Sequence, residues 1–168
     1  MSAATTGAAS LAGRVSMVTG ATGGIGRVIA TELARLGATV VIVCREAAAG
    51  ERLRQQIAAE TGADRAEVIA GDLSSRTGLR HVAGEFTARH DRLHVLVNNA
   101  GAHYRKRLVN ADGIEMHVAV DYLAGFRHGR QSRHRSFGHQ NLPPRSLPSA
   151  TCCVRHPALV LRFSEISC

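Results

Sequence analysis

A glycine-rich segment near the start of the chain constrains its fold more than any other feature. The residues TGATGGIG, from Thr19 to Gly26, follow a short apolar run and precede apolar residues at helical spacing. Glycines at a strand-to-helix turn let the backbone turn tightly and approach a pyrophosphate without a clashing Cβ. The free amides and the dipole at the start of the helix then favour the negative charge. The alternative is an ordinary strand-to-helix turn without a ligand. The position of the glycine-rich segment within a βαβ unit favours an anion-binding role.

Apolar runs alternate with amphipathic stretches as far as residue 126. Helices are predicted to end at Gly37 and Gly62, because glycine readily adopts the left-handed backbone of a C-terminal cap. The alternation implies right-handed crossovers, and hence an α/β fold with a doubly wound parallel sheet. Strands are predicted at 14–19, 38–43, 67–70 and 93–97, and helices at about 25–36, 46–61, 77–90 and 112–126. Inward-facing helix residues are predicted at Ala49, Leu53, Ile57, Leu79, Val82, Ala83 and Phe86.

The chain has two unlike parts, with a break after Phe126. The net charge is +8, and residues 126–168 supply most of it, with seven arginines against Glu165 alone. This part also holds all four prolines and lacks regular periodicity, except for a possible strand at 158–163. We therefore expect a flexible N-terminus (1–13), an incomplete α/β domain (14–126) and an irregular basic tail (127–168).

Composition excludes several classes of protein. No apolar run approaches the roughly 20 residues that a membrane span needs, so no membrane partner is expected. The first dozen residues lack a basic segment before an apolar stretch, and the four cysteines have no regular spacing. A reducing, cytoplasmic location is the expectation. Cys152, Cys153 and His156 have no standard zinc spacing, so no metal site is expected.

Four motifs in order carry a resemblance to a known family. They are TGATGGIG, the GDL at 71–73, the NNAG at 98–101 and DGIEMHVAVDYLAGF at 112–126. Together they resemble the short-chain dehydrogenases/reductases, especially the retinol-dehydrogenase-like branch. The resemblance covers about three-quarters of the chain and implies a Rossmann-type fold, here incomplete. It also implies hydride transfer between a nicotinamide coenzyme and a carbonyl or alcohol.

The resemblance implies roles for ten residues. Gly20, Thr22, Gly24, Ile25 and Gly26 would surround the pyrophosphate and adjoining ribose, Asp72 and Leu73 would border the adenine, and Asn99, Ala100 and Gly101 would lie near the nicotinamide-side ribose. Each of the later motifs also has a structural alternative. Asp72 would cap the turn that follows it, and the asparagines would satisfy backbone groups at a strand end. The two kinds of role can coexist.

The residues after the second predicted strand bear on the choice of coenzyme. An acid there would bind the ribose 2′-hydroxyl and select NAD, but this chain has Cys44 and Arg45. A guanidinium matches a 2′-phosphate, so NADP(H) is favoured over NAD(H). Glu46, directly after the arginine, opposes this choice, and a solvated loop charge is the alternative role for Arg45.

The proton-transfer residues of the family are absent from these 168 residues. Family members use a serine, a tyrosine and a lysine four residues after that tyrosine, and the lysine lowers the pKa of the tyrosine hydroxyl. Neither Tyr104 nor Tyr122 has such a lysine, because Lys106 is the only one. Asp121 stands where the family usually has an asparagine. No catalytic residue is therefore assigned.

The break after residue 126 suggests a truncated or frame-shifted family member. Without a further strand, the predicted strand 93–97 becomes an exposed apolar edge. The leading interpretation is an NADP(H)-binding oxidoreductase domain without turnover, and a non-catalytic dinucleotide-binding module is the alternative. A basic nucleic-acid-binding protein is less favoured, because the tail lacks interleaved aromatic residues. A small carbonyl or alcohol substrate is expected only in a complete family member, and the oligomeric state is not predicted.

Overall fold

The computed structural model describes residues 10–124 and the short strand 159–162. Strands and helices alternate along the chain, as the sequence predicts. The elements are β1 (Val15–Thr19), α1 (Gly24–Arg35), β2 (Thr39–Cys44), α2 (Ala47–Thr61), β3 (Ala66–Ala70), α3 (Arg76–Arg89), β4 (Val95–Asn98), a π-helical segment (Val118–Leu123) and β5 (Leu159–Arg162). Most of the predicted flexible N-terminus and basic tail lies outside the described residues.

The strands form one parallel sheet in the order β3-β2-β1-β4-β5. The central strand β1 pairs with β2 from Val15–Thr39 to Thr19–Val43, and with β4 on its other side. Helices α1 and α2 pack on one face of the sheet and α3 packs on the other. The predicted doubly wound, Rossmann-type α/β fold is therefore confirmed. The strand order reverses between β1 and β4, which is where such folds bind ligands.

Strand β2 explains why the sequence has an uninterrupted apolar run here. Val40 and Ile42 face the helices α1 and α2, whereas Val41 and Val43 face α3. All four side chains are inaccessible to solvent. A strand covered on both faces has no solvent side, so the usual alternation of polar and apolar residues disappears.

The helices bury faces that differ in part from the predicted ones. The predicted α3 face is confirmed, with all four residues buried. On α2, Gly50 is buried in place of Ala49, together with Leu53 and Ile57. Glycine allows the close approach, because a Cβ at position 50 would lie 2.6 Å from Val68 Cγ1.

Helix α1 buries small residues and exposes large ones. Its buried positions are Gly26, Ala30, Thr31 and Ala34. The larger apolar residues Ile25 and Val28 are 45% and 56% exposed. The helix ends as predicted, because Gly37 adopts a φ of +96° and the amide of Ala38 bonds back to Leu33.

The predicted helix 112–126 begins four residues too early. A turn precedes it, in which the Asn110 Oδ1 accepts hydrogen bonds from the amides of Asp112 and Ile114, both at 2.9 Å. Gly113 completes the turn with a φ of +76°. Helical structure starts at Met116 and becomes π-helical over Val118–Leu123.

The expectation that the fourth strand forms an exposed edge is wrong. Leu159–Arg162 pairs with it in parallel, from Val95–Leu159 to Asn98–Arg162. The possible strand predicted at 158–163 is confirmed in position. Within the described residues, no helix is long and apolar enough to cross a bilayer.

Candidate functional site

A cleft of about 440 Å³ opens at the carboxyl ends of the central strands. Residues that follow β1, β2, β3 and β4 all contribute to its walls. Eight of the predicted site residues line it, namely Gly20, Thr22, Arg45, Asp72, Leu73, Asn99, Ala100 and Gly101. The fold thus brings together segments that lie up to 81 residues apart in the sequence.

Gly20 lets the turn after β1 pass close to the loop after β4. Its φ is +63°, and a Cβ there would lie 2.8 Å from the Ala100 Cα. Any other residue would push these two segments apart. Gly24 also has a positive φ, of +52°, but a Cβ there would meet nothing within 4 Å. The backbone at Gly24 therefore faces open space, as a turn that admits a bulky ligand requires.

The start of α1 presents free backbone donors. Gly23 provides no side-chain cap, and the first backbone hydrogen bond runs from the Arg27 amide to the Gly23 carbonyl at 3.3 Å. The amides of Gly24, Ile25 and Gly26 are left without a partner within the described residues. Thr22, Gly24 and Ile25 are exposed around this helix end.

Gly26 contributes to packing. It is buried, and a Cβ there would overlap the Asn99 side-chain nitrogen and lie 2.6 Å from the Gly20 carbonyl oxygen. The third glycine of such a motif typically allows this close approach of helix and strand. Gly24, Ile25 and Gly26 do not line the cleft itself but lie at its edge, on α1.

Thr19, the last residue of β1, ties β1 to the loop after β4. Its buried hydroxyl oxygen accepts hydrogen bonds from the amides of Asn99 and Ala100, both at 3.0 Å, and donates to the Val97 carbonyl at 3.3 Å. The Asn99 side chain donates to the carbonyls of Thr19 and Gly20, at 3.0 Å each. The floor of the cleft is thus cross-linked by side chains. The structural alternative for Asn99 is confirmed.

Asp72 caps the turn that precedes α3. Its Oδ1 accepts the Ser74 amide at 2.9 Å and its Oδ2 accepts the Ser74 hydroxyl at 2.7 Å. Ser75 then caps the helix by accepting the amide of Gly78 at 3.1 Å. The structural alternative for Asp72 is confirmed as well. Because Asp72 and Leu73 also line the cleft, a ligand contact is compatible with this arrangement.

Arg45 stands at the cleft directly after β2. It is exposed, and no carboxylate of the described residues lies within salt-bridge distance of its guanidinium. By contrast, Arg35, Arg54 and Arg89 all pair with acids on the outer surfaces of the helices. An unpaired guanidinium at a cleft is available to an anionic ligand.

Cys44 lines the cleft from the end of β2 and is 5% exposed, as expected for a small buried residue. Burial raises the pKa of its thiol, and the neighbouring Glu46 raises this pKa further, against a hydrogen bond with Gly50. The thiol therefore stays protonated at neutral pH. A reactive thiolate role for Cys44 is not supported.

The loop after β4 is held by side chains of the following helical segment. The Asp121 Oδ1 accepts the Ala102 amide at 3.0 Å, and the His117 Nε2 accepts the Tyr104 amide at 3.0 Å. This loop lines the cleft through Gly101 to Tyr104. Asp121 thus serves as an acceptor for the backbone of this loop.

Neither tyrosine of the described residues is followed by a lysine four positions later. Tyr104 lines the cleft, but Tyr122 is 63% exposed and does not. No three His, Cys, Asp or Glu side chains of the described part form a metal-binding group. Cys152, Cys153 and His156 lie outside the described residues.

Several residues that shape the cleft were not predicted. Thr19 belongs to the glycine motif, but its buried hydroxyl bonds reach residues some 80 positions away. Ser74, His103 and Tyr104 also line the cleft. Ser74 directly follows the GDL motif, and His103 and Tyr104 lie two and three residues after the NNAG motif. Their positions after strand-ending motifs are a signal that was available in the sequence.

A parallel sheet with a glycine-rich turn at its switch point defines a Rossmann-type α/β protein. The model of one such family, short chain dehydrogenase, matches residues 14–128. The chain belongs to the short-chain dehydrogenase family, and the resemblance stated from its motifs is confirmed.

Curated relatives lie in the predicted branch of that family. The chain is 45% identical over 114 residues to mouse polyprenol dehydrogenase, and the aligned segment covers 68% of this chain and 34% of that protein. It is 42% identical over 116 residues to human retinol dehydrogenase 11, and the aligned segment covers 69% of this chain and 36% of that protein. The chain thus matches only about a third of the length of these relatives.

Solved structures share the fold and some contain NADP. The Pseudomonas aeruginosa RhlG/NADP active-site complex aligns with a TM-score of 0.63 and 34% identity, over 73% of this chain and 48% of that chain. A metagenomic short-chain oxidoreductase in complex with NADP aligns with a TM-score of 0.62 and 34% identity, over 72% of this chain and 55% of that chain.

Proposed function

We propose that this chain binds NADP(H) in the cleft between the glycine-rich turn and the loop after β4. The observation that carries the proposal is the set of free amides of α1 beside a cleft lined by eight predicted residues. NADP-containing relatives of the same fold support the coenzyme class. A bound nicotinamide would supply hydride at its C4 atom.

The chain's own residues would divide the coenzyme between them. The amides of Gly24 and Ile25, with the dipole of α1, would receive the diphosphate. Asp72 and Leu73 would border the adenine, because they follow β3 on one side of the cleft. Asn99, Ala100 and Gly101 follow β4 on the other side and would border the nicotinamide-side ribose.

Arg45 would favour NADP(H) over NAD(H). Its unpaired guanidinium lies at the adenine side of the cleft, where a 2′-phosphate would offer a charge-assisted, bidentate hydrogen bond. Hydrogen bonds to charged groups contribute about 1.5–3 kcal/mol, which corresponds to a roughly ten- to hundredfold higher affinity for NADP(H) than for NAD(H). Glu46 is the opposing charge on the next residue.

The experiment that tests this proposal compares coenzymes and variants by fluorescence titration. Arg45→Gln should lower NADPH affinity at least tenfold and leave NADH affinity nearly unchanged. Arg52→Gln serves as the matched control, because Arg52 on α2 is also exposed and forms no ion pair within the described residues. Gly24→Asp should weaken both coenzymes, because it adds a negative charge and a strained φ beside the diphosphate. Equal loss of NADPH and NADH affinity in Arg45→Gln would contradict the assigned selectivity.

We further propose that residues 1–168 bind the coenzyme without turnover. The sequence contains no tyrosine followed by lysine four residues later, so the substrate oxygen would lack its proton donor. The test incubates the protein with NADPH and a panel of carbonyl compounds and follows the NADPH absorbance. The panel includes retinal, because the relatives are named for retinol and polyprenol. Protein-dependent loss of NADPH absorbance with any of these carbonyls would overturn the proposed inactivity while leaving coenzyme binding intact.

A further inference from the structure

The loop from Gly101 to Tyr104 forms a wall of the cleft and depends on side-chain acceptors for its position. Four residues of this loop line the cleft. Its two anchored amides, of Ala102 and Tyr104, donate to Asp121 and His117 of the following helical segment. The loop contains no regular secondary structure of its own. Its position therefore depends on these two anchors.

The hydrogen bonds of His117 indicate which tautomer its neutral ring adopts. The Tyr104 amide is a donor, so the His117 Nε2 atom that accepts it at 3.0 Å carries no proton. The proton of the neutral ring is then on Nδ1, which donates to the Glu115 Oε1 at 2.8 Å. The other Glu115 oxygen accepts the Val118 amide at 3.0 Å. These bonds lower the pKa of Glu115 to about 2, so this carboxylate stays ionised.

We propose that His117 is a positioning residue for the coenzyme, and that proton uptake at its Nε2 atom releases the loop from Gly101 to Tyr104. The proposal rests on the proposed binding of NADP(H) in the cleft. A protonated ring would place an N–H opposite the Tyr104 N–H, and two donors cannot bond to each other. The wall of the cleft would loosen, and coenzyme affinity would fall at acid pH.

Four side chains of the loop and the helical segment surround or neighbour His117. Glu115 faces the ring from the preceding residues, with its Oε1 atom 2.8 Å from the His117 Nδ1. The loop contributes the rings of His103, at 5.9 Å between centroids, and Tyr104, at 5.4 Å. Asp121 lies further along the helical segment and bonds to Ala102 instead. Within this group the nearest fixed charge is thus the negative charge of Glu115.

The test measures NADP⁺ affinity by calorimetry between pH 5.5 and 8.0. Wild-type affinity should fall with decreasing pH by about three- to tenfold more than that of His117→Gln, which cannot take up this proton. The 2′-phosphate of the ligand also titrates in this range, and its effect cancels in the comparison between variants. His90→Gln is the matched control, because His90 forms a similar pair with Glu67 at the end of α3, outside the cleft.

The outcomes separate this inference from the proposed function. Parallel pH profiles of wild type and His117→Gln would overturn the role of His117, whereas absence of binding at every pH would overturn the proposed coenzyme site. The Tyr104 amide resonance provides a second readout that needs neither ligand nor variant. It should move upfield as the pH falls through the range of histidine titration, and a constant shift would contradict the release of the loop.

Discussion

Thr19 offers the sharpest test of how the cleft is held together. Thr19→Val replaces the buried hydroxyl with a methyl group of nearly the same shape. The change leaves the amides of Asn99 and Ala100 without their side-chain acceptor, and it removes the hydroxyl that donates to the Val97 carbonyl. A buried donor left unpaired costs about 1–3 kcal/mol. Partial relaxation of the loop lowers the total, so we expect the free energy of unfolding to fall by about 2–4 kcal/mol.

Urea unfolding followed by circular dichroism measures this loss. Thr31→Val is the matched control, because Thr31 is also buried and its hydroxyl makes no hydrogen bond within the described residues. Thr19→Ser keeps the hydroxyl and should lose only about 1 kcal/mol, from the missing methyl group. If Thr19→Val unfolds within about 0.5 kcal/mol of Thr31→Val, the hydroxyl network does not stabilise the cleft as described.

Three further predictions concern buried polar groups and titration. Within the part of the chain that the structure describes, the buried Ser16 hydroxyl has no hydrogen-bond partner, so Ser16→Ala should raise the free energy of unfolding by about 1 kcal/mol. Ser74→Ala removes a paired hydroxyl and should lower the free energy of unfolding. A loss of stability in Ser16→Ala would contradict this prediction. Burial lowers the pKa of His94 below 6.5, and the positive charges of Arg14 and Arg92 contribute to this shift. The free energy of unfolding should therefore fall as the pH drops through and below 6.5. The urea midpoint of His94→Asn should depend less on pH than that of the wild type, and an equal dependence would refute the assignment. The pKa of Cys44 is raised, so its alkylation should require a higher pH than that of a free thiol. The rate of alkylation is measured against pH in a variant with serine at the other cysteines. A profile that matches that of a free thiol would contradict the burial of Cys44.

Features governed by local backbone chemistry were predictable from the sequence. Gly37 and Gly62 end their helices as expected, because the left-handed conformation they adopt follows from the lack of a Cβ. The predicted strand 38–43 matches β2, whose apolar run is uninterrupted because both of its faces are covered. The ordered motifs located most of the cleft, since residues that follow parallel strands meet at one edge of the sheet.

Features decided by contacts between distant segments were not predictable. The helix predicted at 112–126 begins late because the Asn110 side chain stabilises a turn, a competition that helix periodicity does not reveal. β5 pairs with β4 across about 60 residues, so no local pattern indicated that the β4 edge is covered. The His117 bond to Tyr104 likewise depends on how the loop folds back.

The central claim is that the free amides at the start of α1 bind the diphosphate of a nicotinamide coenzyme. A crystal structure of the chain grown with saturating NADPH tests this directly. We expect diphosphate oxygens within hydrogen-bond distance of the amides of Gly24 or Ile25, and the 2′-phosphate beside Arg45. A well-ordered cleft without coenzyme density, or coenzyme bound elsewhere on the protein, would contradict it.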